Sequence, residues 1–437
     1  MNIPLDNLYH FIEGNSCLPA VFYLFYPHGS RKISDLQLLR NYSLDQVLTL
    51  PRVICHDQET LRYNDYTDDK SEMLEHRAFI DKDKYRSCQP GPGLDKWLWI
   101  DNNNLNLATY FTGGISIYDR TVLLHSEINS NDLMLYEQQG YTGAYWWSHA
   151  LIARDWYRYA QLDHRLKTHL PLKQPFLIYS RGFTREREYR LKFIELLHAQ
   201  NLLNKCNISL LHNEDGVSVF NYKFTNEQLT VSNPGIFAGI RQNHTQATAS
   251  ADYSVDDIVT SAINVVLETQ FTGSKIHLTE KILRPLACAQ PFILGAGPGA
   301  LSILRHYGFE TYEGLIDESY DRIQDPVARL EAIVNAMKKL STQTSSQWQN
   351  WRTAAMSIAL RNQERFFSSA FTNQIITELF GNLNSALQSV QVTRGIYWRR
   401  NRLAIRHNQP NHWQYHLKRK NDRTKAAKLR QLRSHVR

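Results

Sequence analysis

The chain has 437 residues, 42% hydrophobic and 21% charged, with a net charge of +8. Single cores seldom grow past ~250–300 residues, so this length predicts two or three domains. No apolar run approaches the ~20 residues of a bilayer span, the opening MNIPLDNLYHFIEGNS has no secretory leader, and the five scattered cysteines form no CxxC pair, which argues against a disulfide framework or zinc site and for a reducing cytoplasm.

In chain order, residues 18–27 (LPAVFYLFYP), 52–59 (RVICHDQE) and 121–127 (TVLLHSE) read as strands, the last two stopping at polar groups. NSNDLMLYEQQGY then has a capped helical spacing and a stop at Gly140. TGAYWWSH resumes strand character and ALIARDWYRYAQLDHRL is helical, whereas residues 64–103, with QPGPG, are polar and irregular. Prolines in LKTHLPLKQP break the pattern near residue 170. It restarts with strand FLIYS, loop RGFTRERE, helix YRLKFIELLHAQNLL and strand NISLL, then strand INVVLET, helix TEKILRPLACA, strand PFILGA, helix ALSILRHY and a short strand GFETY. Strands alternating with helices imply parallel sheets built from βαβ units. The expected architecture is therefore α/β: two Rossmann-like doubly wound domains facing a cleft, at 1–170 and 171–390, with an extension at 391–437. That extension holds fourteen Lys or Arg against one acid, Asp422, a net +13 that leaves −5 for the other 390 residues.

Ligands of open α/β sheets bind outside the carboxyl ends of the strands, and the polar clusters fall there. Thr279 can cap the helix of LTEKILRP. Its N-terminus can hold phosphate, with Lys281 and Arg284 neutralising a diphosphate and Glu280 accepting from the two vicinal hydroxyls of a ribose. Glu280 offsetting the helix dipole beside a solvated Lys281 is the structural alternative. The loop after FLIYS supplies Arg181, Arg185, Arg187 and Arg190, whose forks match phosphate oxygens. Of these, Arg181 and Arg190 are the candidate donor ligands; an ion-paired helix start is the other reading. In the first half, Asp57, Glu127 and His149 stand as candidate bases for taking a proton from a hydroxyl. The D-x-D of DKDK (residues 81–84) has the wrong context for a metal site, and no metal or cofactor is expected.

The segment from Val265 to Asp321, VVLETQFTGSKIHLTEKILRPLACAQPFILGAGPGALSILRHYGFETYEGLIDESYD, resembles the donor domain of GT-B glycosyltransferases, particularly fucosyltransferase-like sequences and related glycosyltransferases of bacteriophages. The resemblance covers 57 residues, with weaker echoes in CHDQE, LLHSEINS and WWSHALIARDWYRYA. It implies a hexosyl- or pentosyltransferase using a nucleotide-sugar donor, with Glu280 at the ribose, Lys281 at the phosphates and Glu268 near the sugar; the missing strand-end D-x-D and the many cationic side chains make the expected reaction metal-independent. A phage protein would act in the host cytoplasm. In the tail, Arg399, Arg400, Lys418, Arg419 and Lys420 interleave with Tyr397, Trp398, Trp413 and Tyr415, a pattern suited to a phosphate backbone and stacked bases. Together these imply a double-stranded DNA acceptor carrying hydroxymethylated pyrimidine. The alternatives are a transferase building a surface polysaccharide or lipid-linked glycan, with the tail on an anionic membrane, and a non-catalytic nucleic-acid-binding protein on a transferase fold.

Overall fold

A computed structural model describes residues 5–24, 51–61, 121–138, 140–167, 170–214, 216–242 and 251–405. Helix α1 (Leu5–Asn15) precedes strands β1 (Val21–Leu24), β2 (Arg52–His56) and β3 (Thr121–His125). Helix α2 (Asn131–Gln138) then leads to β4 (Thr142–Tyr145) and α3 (Ser148–Trp156). The four strands lie side by side in chain order, all parallel, with His56 opposite His125 and His125 opposite Tyr145. Every residue of β3 is buried, as the apolar run TVLL requires of a strand covered on both faces.

The second sheet begins at β5 (Phe176–Ser180), followed by α4 (Tyr189–Ala199), β6 (Cys206–Leu210) and the short hairpin β7 (Asn213–Glu214) with β8 (Val217–Ser218). Then come β9 (Arg241–Gln242), α5 (Val255–Val259), β10 (Ile263–Leu267), α6 (Glu280–Ala287), β11 (Phe292–Gly295) and α7 (Ala300–His306). Its order is β11-β10-β5-β6-β9, all parallel. The chain runs outward from β5 to β9, returns to the other side of β5 and runs outward again, so this sheet is doubly wound. Its direction reverses between β5 and β10, and that is where such sheets bind ligands. Among the described strands of the first sheet there is no such reversal.

Three helices close the described chain: α8 (Pro326–Ser341), α9 (Ser345–Phe367) and α10 (Ser369–Ile405). Helix α10 crosses back to pack on β3, β4 and α3 of the first sheet. It buries Phe371, Ile375, Leu379, Leu383, Leu387 and Val390, an apolar stripe at helical spacing. This helix runs unbroken through residue 390, the expected end of the second domain, and the second sheet starts at Phe176, after the expected division at 170/171. Residues 308–312, expected as a strand, form a loop. Gly308 takes a left-handed φ of 83°, and the Tyr312 amide donates to Glu318 Oε1 at 2.6 Å, so it is not available to a sheet ladder.

The two halves are joined by backbone as well as side chains. Ile128 and Ile276 exchange both backbone hydrogen bonds at 2.9 Å, and the Trp147 indole donates to the Leu278 carbonyl at 2.8 Å. Arg154 of α3 donates to the carbonyls of Phe366 and Phe367 at the end of α9. The glycine-rich turn after β11 has a steric cause: a Cβ on Gly297 would stand 2.5 Å from the Lys275 carbonyl, so only glycine lets the turn pass there.

Candidate functional site

The reversal point of the second sheet is occupied by the segment that joins β10 to α6. Glu268, directly after β10, is fully buried. Its carboxylate accepts the Thr279 amide at 3.0 Å and the Thr279 hydroxyl at 2.6 Å. Burial raises its pKa, with Lys281 opposing and Glu280 adding to the shift. Thr279 caps α6 by accepting from the Lys281 amide at 3.4 Å, and the Lys281 ammonium also donates to it at 3.0 Å. Glu268 therefore anchors the helix start, fixing where the first turn of α6 points.

Glu280 and Lys281 pair at 3.0 Å. The other Glu280 oxygen stands 3.6 Å from Nε2 of His149, which is contributed by α3 of the first half. Burial works against the charge of Glu280, but Lys281 and His149 outweigh it and hold the carboxyl well below the usual range. The cap, the acid and the cation expected in LTEK thus converge with one candidate base from the other half.

Arg190 and Arg284 are placed differently from their expected role as phosphate ligands. The buried Arg190 guanidinium donates to the carbonyls of Gly182, Leu267 and Glu268 at 2.8, 2.7 and 3.2 Å. Its fork is spent on stitching the ends of β5 and β10 together. Arg284 lies one turn inside α6 with its guanidinium over the Tyr179 ring, 4.6 Å from the centroid. Arg187 pairs with Glu214 at 2.8 Å, and Glu214 also accepts the Phe183 and Thr184 amides at 2.6 and 2.8 Å. Arg181 is half-buried directly after β5, at the reversal point.

The first half presents a second cluster. Asp57, at the end of β2, is 1% exposed. Tyr9 donates to one of its carboxylate oxygens at 2.9 Å; the other makes no hydrogen bond of good geometry among the described residues, though the Trp146 indole is near enough to lower the carboxyl's pKa. Burial pushes its pKa up to about 7, against the Tyr9 hydrogen bond. The Asp57 carbonyl accepts from Ser126 and Ser148, each at 2.6 Å. Ser148 lies 3.4 Å from Nδ1 of His149, so a polar chain runs from the end of β2 through His149 to Glu280. Burial lowers neighbouring His125 to about 4.

Glu127, also expected as a base, is occupied. It accepts the Leu61 amide at 2.8 Å and the Ser130 hydroxyl at 2.6 Å, and lies 3.3 Å from the Lys275 ammonium. Lys275 itself comes from the second half and also holds Asp132 at 2.7 Å and the Leu61 carbonyl at 2.9 Å. This pair is a tie between the halves.

Among the described residues no three His, Cys, Asp or Glu side chains gather to hold a metal ion, and no helix is long and apolar enough to cross a membrane. Lys418, Arg419, Lys420 and the DKDK motif lie outside the described residues, and of Arg399 and Arg400 only the helical backbone is described. One buried group of the seam, His277, carries no spacing signal in the sequence. It sits in an apolar stretch just before the cap, with its ring centroid 5.2 Å from that of His149.

No protein-family model and no curated protein sequence matches the chain. Among solved structures it is similar to WaaG, a glycosyltransferase involved in lipopolysaccharide biosynthesis, at 10% identity and a TM-score of 0.37, covering 85% of this chain and 99% of that one. It is also similar to an α,α-trehalose-6-phosphate synthase from Burkholderia multivorans, at 12% identity and a TM-score of 0.34, covering 82% and 78%. A UDP-forming α,α-trehalose-phosphate synthase from Burkholderia vietnamiensis gives 10% identity and 0.33, covering 90% and 84%. Likenesses this loose leave the function to be read from the site.

Proposed function

We propose that the protein is a glycosyltransferase of GT-B arrangement that moves a sugar from a nucleotide-activated donor to a hydroxyl acceptor. The observation that carries this reading is the meeting, at the reversal point of a doubly wound sheet, of a capped helix N-terminus, an ionised Glu280 and Lys281 with His149 of the opposite half. In this reading the α6 amides and Lys281, with Arg181 nearby, take the diphosphate, and Glu280 accepts from the ribose hydroxyls. The bond between the sugar C1 and the diphosphate oxygen breaks, a bond from C1 to the acceptor oxygen forms, and the acceptor proton passes to a base. Of the three expected bases, Asp57 suits the role best: its pKa lies at about 7, whereas Glu127 is committed to Lys275 and His149 faces Glu280. Cationic side chains and helix amides supply the charge stabilisation a departing diphosphate needs, so the reaction is proposed to run without a divalent cation.

For the acceptor, the net +13 of residues 391–437 favours a polyanion, and hydroxymethylated pyrimidine in duplex DNA supplies the hydroxyl. A surface polysaccharide or lipid-linked glycan is the competing acceptor. The test is a turnover assay with a panel of sugar nucleotides in EDTA, with and without hydroxymethylated duplex. Release of nucleoside diphosphate coupled to acceptor modification is expected. Consumption of no sugar nucleotide with any acceptor class would overturn the enzyme reading, and activity regained only on adding manganese would overturn the metal-free one.

A further inference from the structure

His277 is fixed in the seam between the halves by its neighbours on both sides. Ile276 before it exchanges both backbone hydrogen bonds with Ile128, and the carbonyl of Leu278 after it accepts the Trp147 indole. The side chain is 2% exposed, yet neither ring nitrogen has a hydrogen-bond partner among the described residues. Buried polar groups are nearly always paired, so a doubly unpaired imidazole calls for a functional cause. Its surroundings supply one, because the ring packs edge to face on His149, whose Nε2 reaches toward Glu280. Resting on the donor-site reading above, we propose that His277 is a ligand-contacting residue of that site, its imidazole pairing with a hydroxyl of the bound sugar nucleotide.

The chemistry selects a hydroxyl over a phosphate. Burial, then His149 and Lys281, push the His277 pKa well below the ordinary histidine value, although Glu280 opposes them. The ring is therefore neutral near pH 7, with one nitrogen donating and the other accepting. A hydroxyl can meet whichever nitrogen faces it, accepting from the N–H or donating to the bare nitrogen, whereas a phosphate oxygen only accepts and can meet the N–H alone. The division of labour follows: phosphate to Lys281 and the α6 amides, hydroxyls to Glu280 and His277. The hydroxyl belongs to the ribose or to the transferred sugar.

The test uses the full chain and its variants H277L and H277N. Melting temperature is measured without ligand, and affinity by calorimetry for the uridine, guanosine and adenosine diphosphates, each free and as its glucose conjugate. Because H277L removes two unpaired buried nitrogens, it is expected to melt no lower than the wild type. It is also expected to lose about fivefold in affinity, the size of one neutral hydrogen bond. H277N, which keeps a donor and an acceptor, is expected to retain part of that affinity. Loss toward both free nucleotide and conjugate assigns the ribose hydroxyl, and loss toward the conjugate alone assigns the transferred sugar. Affinities of both variants equal to wild type would overturn the proposal, as would failure of both variants to fold, since that marks a structural histidine. A wild-type protein that binds no probe would bring down the donor-site reading itself, and this inference with it.

Discussion

Asp57 and Glu280 are both buried carboxylates at the two faces of the seam, and the protein holds them in opposite states. Among the described residues no cation offsets burial at Asp57, and its pKa rises to about 7. Glu280 is also buried, but Lys281 and His149 keep it ionised far below neutrality. Burial alone does not decide a carboxyl's charge: at Glu280 two neighbouring cationic groups outweigh it, whereas at Glu268 Lys281 does not. Groups whose environments push their pKa values apart divide acid–base and binding roles. On the proposed function, that division would give proton transfer to Asp57 and permanent acceptance of hydrogen bonds to Glu280.

D57N should lower kcat by ~10²–10⁴-fold, the range of a lost general base, and the rate should lose its rise through about pH 7. Stability supplies the independent check. Because its folded pKa is raised above the unfolded value, Asp57 contributes stability that is fully present below about pH 4 and lost as pH rises through about 7. D57N should remove that loss, gaining ~2–4 kcal/mol over wild type at pH 8 and almost nothing at pH 4. Denaturant melts at the two pH values read this directly, and equal differences at both would contradict it.

A second pair of substitutions sharpens the contrast between a tie and a site. Lys275 and Lys281 each pair with a buried glutamate, Glu127 and Glu280 respectively. K275A leaves Glu127 buried without its cation and should cost ~3 kcal/mol, seen as a lower denaturation midpoint. K281A should cost much less stability, since Lys281 is the more exposed of the two (26% against 14%), but should weaken nucleotide binding. Equal stability losses with unchanged nucleotide affinity would erase the distinction.

The smallest effect concerns the extension. Neutralising Lys418, Arg419, Lys420, Arg423 and Lys425 together should flatten the dependence of duplex affinity on salt, because fewer condensed counterions are released. Sugar-nucleotide affinity should stay unchanged. An equal salt slope in variant and wild type would remove the nucleic-acid role and favour a glycan acceptor.

Much of the second half was legible in the sequence because its signals are local. FLIYS, INVVL and PFILG are apolar runs that only a sheet covered on both faces accommodates, and LTEK carries a cap, an acid and a cation in four consecutive positions. What escaped is tertiary. Arg190 looks like a phosphate fork in RGFTRERE, but its partners, Gly182, Leu267 and Glu268, include residues almost 80 positions away. Glu127 and Asp57 look alike as strand-end acids, and Lys275, which satisfies Glu127 alone, lies 148 residues further along the chain. GFETY has a strand-like composition, but Glu318 captures the Tyr312 amide. His277 gives no spacing at all, since its significance lies in partners it lacks.

Whether the start of α6 binds the nucleotide of an activated sugar is read by calorimetric titration of wild type and E280A with a panel of sugar nucleotides. Wild type is expected to bind a member of the panel one to one. E280A, folded and melting near the wild-type temperature, should bind it more weakly by ~1–3 kcal/mol, the scale of hydrogen bonds to a charged group. Equal affinity in a folded E280A, or no binding by wild type, would contradict a nucleotide site there.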